Sequence, residues 1–157
     1  MNHLLVITKI FLISCISAIA ADWPHWLGPN GDGISLETDW KNEINDPIWK
    51  AKVGVGFSAV SVANGKLYTM GHDGKKSAGQ ETVYCLDART GKSIWKQSYP
   101  APLVDYLHEG GPCSTPTVDG SIVYTISKHG LLHAYQAKDG KVIWKKDMMK
   151  EAGMKRP

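Results

Sequence analysis

The side chains best suited to chemistry in this chain are its histidines, and one pair has a spacing that invites a metal site. His129 and His133 stand four residues apart. On a strand both would share a face, but they would lie about 13 Å apart, at about 3.3 Å per residue. That separation is too large for two ligands of one metal ion. We therefore expect no metal site at this pair.

Two further histidines stand next to a carboxylate, a pairing that proton transfer can use. His72 precedes Asp73, and His108 precedes Glu109. Both pairs are predicted to lie in solvated loops. No serine or cysteine can be joined to them as a nucleophile-base set from spacing alone. The sequence therefore predicts no catalytic residue in this chain.

Two loop patterns also fall short of a known binding site. Asn30-Gly31-Asp32-Gly33 is similar to part of a calcium loop, but the first ligand would be Gly28, which has no side-chain oxygen. Gly54-Val55-Gly56 opens no helix and so predicts no dinucleotide site. The sequence predicts a cluster of turns at residues 30–33 and no metal-binding or cofactor-binding residue in the chain.

Residues 1–20 predict a signal peptide for export. A weakly positive start with Lys9 is followed by an apolar core over 10–19, and Ala18-Ile19-Ala20 supplies the small-x-small cleavage pattern before Ala21. The apolar run is shorter than the about 20 residues that cross a bilayer, so no transmembrane segment is expected after cleavage. A lipid-attachment box ending at Cys15 is the weaker alternative, because its hydrophobic region is short. We expect a periplasmic or extracellular protein.

Charge and cysteine content exclude some classes of partner. The formal net charge is +3, and the lysines are scattered over turns with no run of like charges, so no nucleic-acid partner is expected. After removal of the leader, Cys85 and Cys113 are the only thiols. An exported pair could form a disulfide, but two small packing residues in strands are the favoured interpretation.

A repeated segment determines the fold prediction. Residues 85–96 return as residues 134–145, and both copies end in Gly-Lys-x-Ile-Trp-Lys. Trp49-Lys50 repeats the last two residues of the motif further upstream. A period of about 40–50 residues with a strand-turn-strand pattern is typical of β-propeller blades, which cannot bury their faces alone.

The repeat predicts an all-β chain of about two four-stranded antiparallel blades. An irregular, aromatic and Gly/Pro-rich amino-terminal segment covers 21–47, a single strand covers 48–53 around Trp49, and a linker covers 148–157. The blades cover 58–97 and 114–147, with tight hairpin turns at Asn64-Gly65 and Asp119-Gly120. The predicted strands are 58–62, 66–70, 82–87 and 93–97, then 115–118, 122–127, 131–136 and 142–147.

The recurring residues have mechanical roles in this prediction. Gly91 and Gly140 take a turn geometry that a Cβ would oppose. Trp95 and Trp144 occupy the same place on the outermost strand of each blade. A side chain of this kind, which buries on the order of 200 Å², can fill the wedge between neighbouring blades. Asp87 is expected to accept hydrogen bonds from the backbone of the following turn.

At these residues the chain resembles the pyrroloquinoline-quinone-like (PQQ-like) repeat β-propellers, of the secreted bacterial type. Their signature reads Ala-x-Asp-x-x-Thr-Gly-Lys-x-x-Trp, and residues 85–95 depart from it only at Cys85. Residues 134–144 match it at four positions, with Gln136 in place of Asp and Asp139 in place of Thr. Residues 22–33 also look like the start of family members, and residues 111–120 resemble their typical first strand and turn.

The resemblance implies a ring of about seven or eight blades, so this chain looks like an amino-terminal fragment. Its partners would be the remaining blades and cell-envelope proteins. Some members are quinoprotein dehydrogenases, which hold pyrroloquinoline quinone and calcium on the propeller axis, and others bind no cofactor. The chain lacks the adjacent cysteines of the enzymes. We therefore expect a non-catalytic binding or assembly scaffold, with a fragment of a PQQ-dependent alcohol or sugar dehydrogenase as the alternative.

Overall fold

The computed structural model describes residues 21–38, 46–106 and 108–153. Within these residues, eight strands form two four-stranded antiparallel sheets, here called blade 1 and blade 2. The strands are β1 Ser61–Ala63, β2 Lys66–His72, β3 Gln80–Asp87 and β4 Ser93–Pro100, then β5 Thr117–Asp119, β6 Ile122–Ile126, β7 Leu131–Gln136 and β8 Val142–Asp147, followed by the short helix α1 Met148–Glu151. The predicted all-β fold of two antiparallel blades in an incomplete ring is confirmed.

The two blades have the same strand order and the same register. Successive strands are neighbours in each sheet, and a bulge interrupts the pairing of the third and fourth strands at the same place in both. One row of side-by-side residues crosses the middle of each blade, Tyr68, Cys85 and Trp95 in blade 1 and Tyr124, Ala134 and Trp144 in blade 2. The repeat in the sequence is therefore a repeat in structure.

The hydrophobic core lies between the two blades. Blade 1 contributes Tyr68, Met70, Val83, Cys85 and Trp95 to one buried cluster, and blade 2 contributes Val118, Val123, Tyr135 and Ala137. The faces that meet are mostly apolar, with a few buried polar side chains, and the blades stack because a single four-stranded sheet buries too little surface alone. The core is thus an interface between repeats.

The predicted strand over residues 48–53 stays a prediction, because the blade that it would complete in a closed ring is not one of the two described. No backbone ladder pairs with these residues in the described part of the chain, and a strand needs such a partner. The nearest pairing is an isolated antiparallel bridge between Val55 and His72. The inner strands also begin later than predicted, at Ser61 and Thr117, whereas β2 and β3 extend further and shorten the loop between them.

The amino-terminal segment crosses the inner edges of both blades. Trp23 and Val62 exchange two backbone hydrogen bonds of 2.8 Å, so Trp23 lies beside β1. The next residue, Pro24, accepts a backbone hydrogen bond of 2.8 Å from Val118 of β5. The predicted leader over 1–20 and parts of the predicted segments 21–47 and 148–157 lie outside the described residues. In the described part, no helix has the length and apolar character needed to cross a membrane.

Candidate functional site

The interface between the blades is built around a tryptophan of one blade and a glycine turn of the next. Trp95 on β4 is only 7% exposed. Its indole N–H donates to the carbonyl of Ala137 in blade 2 at 3.1 Å. A Cβ on Gly140 would lie 2.6 Å from the Trp95 ring, so only glycine leaves room for the indole. Trp95 is therefore docked on the turn between β7 and β8.

Trp49 makes the same contact one repeat earlier, although it lies outside any strand. Its indole N–H donates to the carbonyl of Ala88 at 3.2 Å, and a Cβ on Gly91 would collide with its ring. Ala88 and Gly91 lie in the turn between β3 and β4, where Ala137 and Gly140 lie in blade 2. The contact, called here the Trp–Gly dock, thus occurs twice in succession.

The turns that receive the tryptophans share one backbone geometry. Gly91 and Gly140 have φ of 69° and 73°, and their N–H groups donate to the carbonyls of Asp87 and Gln136 at 2.8 Å. The Asp87 carboxylate accepts from the backbone N–H and the hydroxyl of Thr90, both at 2.7 Å, and these bonds lower the pKa of Asp87. The hairpin glycines Gly65 and Gly120 lie in the β1–β2 and β5–β6 turns with φ of 69° and 55°. The turns at residues 87–91 and 136–140 therefore have the geometry that the Trp–Gly dock needs.

Trp144 has only the part of the Trp95 environment that its own blade supplies. The rings of Tyr124 and Trp144 are 5.9 Å apart, the same distance that separates Tyr68 and Trp95. Trp95 also contacts Tyr135 of blade 2 at 6.0 Å, whereas Trp144 is 37% exposed. We call the side of blade 2 that carries Ile122, Tyr124, Ile126, Leu132 and Trp144 the forward face.

His72 has a structural role that the sequence did not predict. It lies on β2 and is 2% exposed, so its predicted position in a solvated loop is wrong. Its Nε2–H donates to the carbonyl of Ala101 at 2.6 Å, and its Nδ1 accepts from the Gly74 N–H at 2.9 Å. Since both ring nitrogens are bound to the backbone, His72 has no lone pair left for a metal or a substrate.

A buried carboxylate missed by the sequence prediction lies beside His72 in the same face. Glu81 is 2% exposed and accepts a hydrogen bond of 2.9 Å from the Tyr99 hydroxyl. Burial raises the pKa of Glu81 and also that of Tyr99. The alternation of Glu81, Val83 and Cys85 along β3 was the available signal, because it places all three on one face.

His129 and His133, which are four residues apart in sequence, lie in different surroundings. His133 stacks between Tyr99 and Tyr135, with ring centroids 4.6 and 5.5 Å away, and burial lowers its pKa. His129 lies in the turn before β7, where its Nε2 is 2.8 Å from the Pro102 carbonyl oxygen. The structure therefore places the two rings in an aromatic stack and in a loop contact respectively.

The remaining candidates are loop or packing residues. His108 lies in a loop, 2.7 Å from the Lys128 amine and 3.9 Å from the Cys113 sulfur. Cys85 and Cys113 are both free thiols, and burial raises the pKa of Cys85 to about 11. Asp32, in the turn that resembles a calcium loop, accepts a hydrogen bond of 2.9 Å from the N–H of Ile34.

The predicted absence of a quinone and calcium site stays a prediction, because the described residues form only two blades of the ring. Among residues 21–38, 46–106 and 108–153, no group of three or more His, Cys, Asp or Glu side chains could hold a metal ion. The inner edges of both blades are contacted by Trp23 and Pro24 of the chain's own amino-terminal segment.

Face-to-face antiparallel sheets joined by Trp–Gly docks define this protein as a segment of a repeat β-propeller. Residues 79–156 match the family model described as outer membrane protein assembly factor BamB. Together with the repeat signature, this match shows that the chain belongs to the PQQ-like repeat β-propeller family. None of the curated proteins matches the chain.

Several solved structures are similar to parts of the chain. BamB from Moraxella catarrhalis has 18% identity and a TM-score of 0.42, over 59% of this chain and 24% of its own. A europium-containing methanol dehydrogenase has 25% identity and a TM-score of 0.40, over 55% of this chain and 14% of its own. A quinohemoprotein alcohol dehydrogenase from Pseudomonas putida has 25% identity and a TM-score of 0.40, over 55% and 12%. The chain thus spans less than a quarter of each structure.

Proposed function

We propose that this chain is part of an exported propeller that acts as a non-catalytic binding or assembly scaffold. The observation that supports an incomplete propeller is the forward face of blade 2. There, Trp144 repeats the position of Trp95 but keeps 37% of its surface exposed. An exposed tryptophan on a β-sheet, beside other apolar side chains, is typical of a surface that binds another polypeptide.

The partner proposed for this face is a further blade of the same propeller. Trp49 and Trp95 each dock on a turn that carries alanine and, three residues later, glycine. Trp144 would bind a third turn of this kind in the complete protein. Other surfaces of the closed ring would then be left for cell-envelope proteins, in line with the predicted export of the chain.

The groups that could have served catalysis at the blade interface support the scaffold. Both nitrogens of His72 are bound to backbone groups, and Glu81 is buried with its hydrogen bond from Tyr99. These hydrogen bonds lie within blade 1 and its adjoining loops, and burial leaves both groups out of reach of a substrate. No observation on the described residues favours the alternative, a PQQ-dependent alcohol or sugar dehydrogenase.

A tandem duplication tests the forward face. Residues 101–147 would be appended after Pro157 to provide a second copy of the turn that contains Ala137 and Gly140. We expect iodide to quench the Trp144 fluorescence less in the extended protein than in the original chain. The Trp144 signal is the difference between each protein and its Trp144→Phe variant. Trp26, which is 65% exposed on the amino-terminal segment, provides the control through Trp26→Phe. Unchanged quenching of Trp144 would contradict the docking proposal.

An activity measurement tests the non-catalytic part of the proposal. The full protein, expressed with its leader, would be supplied with pyrroloquinoline quinone and calcium and assayed for dye-linked oxidation of alcohols and sugars. We expect no turnover and no binding of the quinone. Quinone-dependent turnover would overturn the scaffold in favour of the dehydrogenase.

A further inference from the structure

A single polar contact closes the amino-terminal segment into a loop. The backbone nitrogen of Ala21 donates to Oε1 of Glu37 at 2.9 Å, across 16 residues of chain. Ala21 is also the residue that follows the Ala18-Ile19-Ala20 cleavage pattern. The structure therefore shows a hydrogen-bond partner for the Ala21 nitrogen, the atom that becomes an α-amine if the leader is cleaved before Ala21.

The closed loop is attached directly to blade 1. Both carboxylate oxygens of Asp22 accept from the N–H of Asn64, at 3.0 and 3.1 Å, and Trp23 pairs with Val62 of β1. Between the two limbs of the loop lies a mostly apolar cavity of about 480 Å³, which Ala21 and Glu37 help to line. The contact between Ala21 and Glu37 thus joins the two limbs of a segment that is paired with the inner strand.

Cleavage would strengthen this contact by changing the charge of its donor. Before cleavage, the Ala21 nitrogen is a neutral amide with one hydrogen. Hydrolysis of the bond between Ala20 and Ala21 consumes one water, leaving a carboxylate on Ala20 and an amine on Ala21 that takes up the released proton. An α-amino group has a pKa of about 7.7–8.0, so it is mostly charged at neutral pH. The Glu37 carboxylate then faces a cationic donor in place of a neutral one, so the contact becomes an ion pair as well as a hydrogen bond.

We propose that the bond between Ala20 and Ala21 is the processing site and that Glu37 binds the α-ammonium group released there. Removal of the leader then fastens the amino-terminal loop against blade 1, so that only the exported, mature protein has the ammonium–Glu37 ion pair. This inference rests on the proposed export of the chain.

The first measurement tests the processing site. The full chain would be expressed with its own leader in a Gram-negative bacterium, and the intact mass of the periplasmic product would be determined. We expect a protein that begins at Ala21. A different first residue, a lipid on Cys15 or an uncleaved protein would overturn the inference, and the uncleaved protein would also count against export.

The second measurement tests the role of Glu37 separately from export. An aminopeptidase would be used to remove Ala21 from the wild type, Glu37→Gln and the control Glu109→Gln, whose carboxylate lies on an exposed loop. We expect removal to be about two- to fivefold faster in Glu37→Gln only, the range that an exposed ion pair supports. Equal rates in all three would overturn the role of Glu37 and leave the processing site standing.

The wild type and Glu37→Gln, each with two residues added before Ala21, complete the test. Gly-Ser placed before Ala21 in a cytoplasmic form moves the ammonium group away from Glu37. We expect the wild type and Glu37→Gln to be trimmed at equal rates in this form. A persisting difference would show that Glu37 acts on the loop without binding the ammonium group, which would contradict the proposal.

Discussion

Trp95 and Trp144 occupy equivalent positions in two blades, and their surroundings differ on one side only. Within its own sheet, each indole lies 5.9 Å from the tyrosine at the far end of its row. On the other side, Trp95 meets Tyr135, the Ala137 carbonyl and Gly140, whereas Trp144 is 37% exposed. A blade therefore supplies half of the environment of its tryptophan, and the next repeat supplies the other half.

This difference indicates that contacts at the junctions between repeats stabilise the protein. The Ala137 carbonyl accepts from the Trp95 indole N–H, from the Tyr68 hydroxyl at 3.3 Å and from the Lys66 amine at 3.5 Å, so three side chains of blade 1 converge on one backbone atom of blade 2. Repeat proteins gain their stability from such nearest-neighbour interfaces. The comparison predicts that equivalent substitutions in the two blades will have unequal effects.

Removing each tryptophan gives the largest expected contrast. Trp95→Ala should reduce the free energy of unfolding by about 3–5 kcal/mol, the usual range for a buried tryptophan. Trp144→Ala should cost less than Trp95→Ala in this chain, because 37% of the Trp144 surface is already exposed and only 7% of that of Trp95. Urea unfolding followed by far-UV circular dichroism would measure both. Equal losses would show that the two positions do not differ as the structure indicates.

Substitution of the turn glycines tests the other side of the dock. In Gly140→Ala the new methyl group would lie 2.6 Å from the Trp95 ring, whereas at Gly120 no atom lies within 4 Å of the corresponding position. Both glycines have positive φ, which costs alanine about 1–2 kcal/mol. We expect this loss alone for Gly120→Ala and about 1–2 kcal/mol more for Gly140→Ala, measured by urea unfolding. Equal losses would argue against a tight Trp–Gly dock.

The sequence was sufficient to predict the blades because their determinants are local. Alternating apolar residues, Asn-Gly and Asp-Gly turns and the repeated Gly-Lys-x-Ile-Trp segment each act within one sheet, and β7 and β8 have the predicted bounds. The contact of Trp49 could not be predicted in this way, because its partner Ala88 is 39 residues away in sequence. In the structure Trp49 docks on the Ala88 and Gly91 turn without strand pairing.

The polar part of the interface could not be predicted from local sequence. His72 and Glu81 are polar residues near a Gly-rich loop, a pattern that indicates exposure. Their burial depends on neighbours distant in sequence, since His72 bonds to Ala101 and Glu81 to Tyr99. The alternation along β3 places Glu81 on the same face as Val83 and Cys85, but it does not show that this face is covered by a second sheet.

Substitution of the buried carboxylate of Glu81 is expected to give the smallest change in stability, and the change is specific to one pH range. Burial raises the pKa of Glu81 above its ordinary value, so the folded protein holds its proton more tightly than the unfolded chain does. Its contribution to stability is therefore full below about pH 4.3, the ordinary pKa of a glutamate, and is lost as pH rises through the folded pKa. Glu81→Gln should remove this decline, measured by urea unfolding from pH 4 to 8.

Asp87 provides the opposite case on the exposed turn of the same blade. Its pKa is lowered, first by the hydrogen bond from the Thr90 hydroxyl, so its contribution is lost as pH falls below the ordinary value of an aspartate. Asp87→Asn should flatten the acid side of the profile and leave the decline above pH 4.3 unchanged. His133, whose pKa is lowered by burial, acts on the acid side too and is common to both variants. If Glu81→Gln left the profile above pH 4.3 as it is in the wild type, the carboxylate would not be buried between the blades.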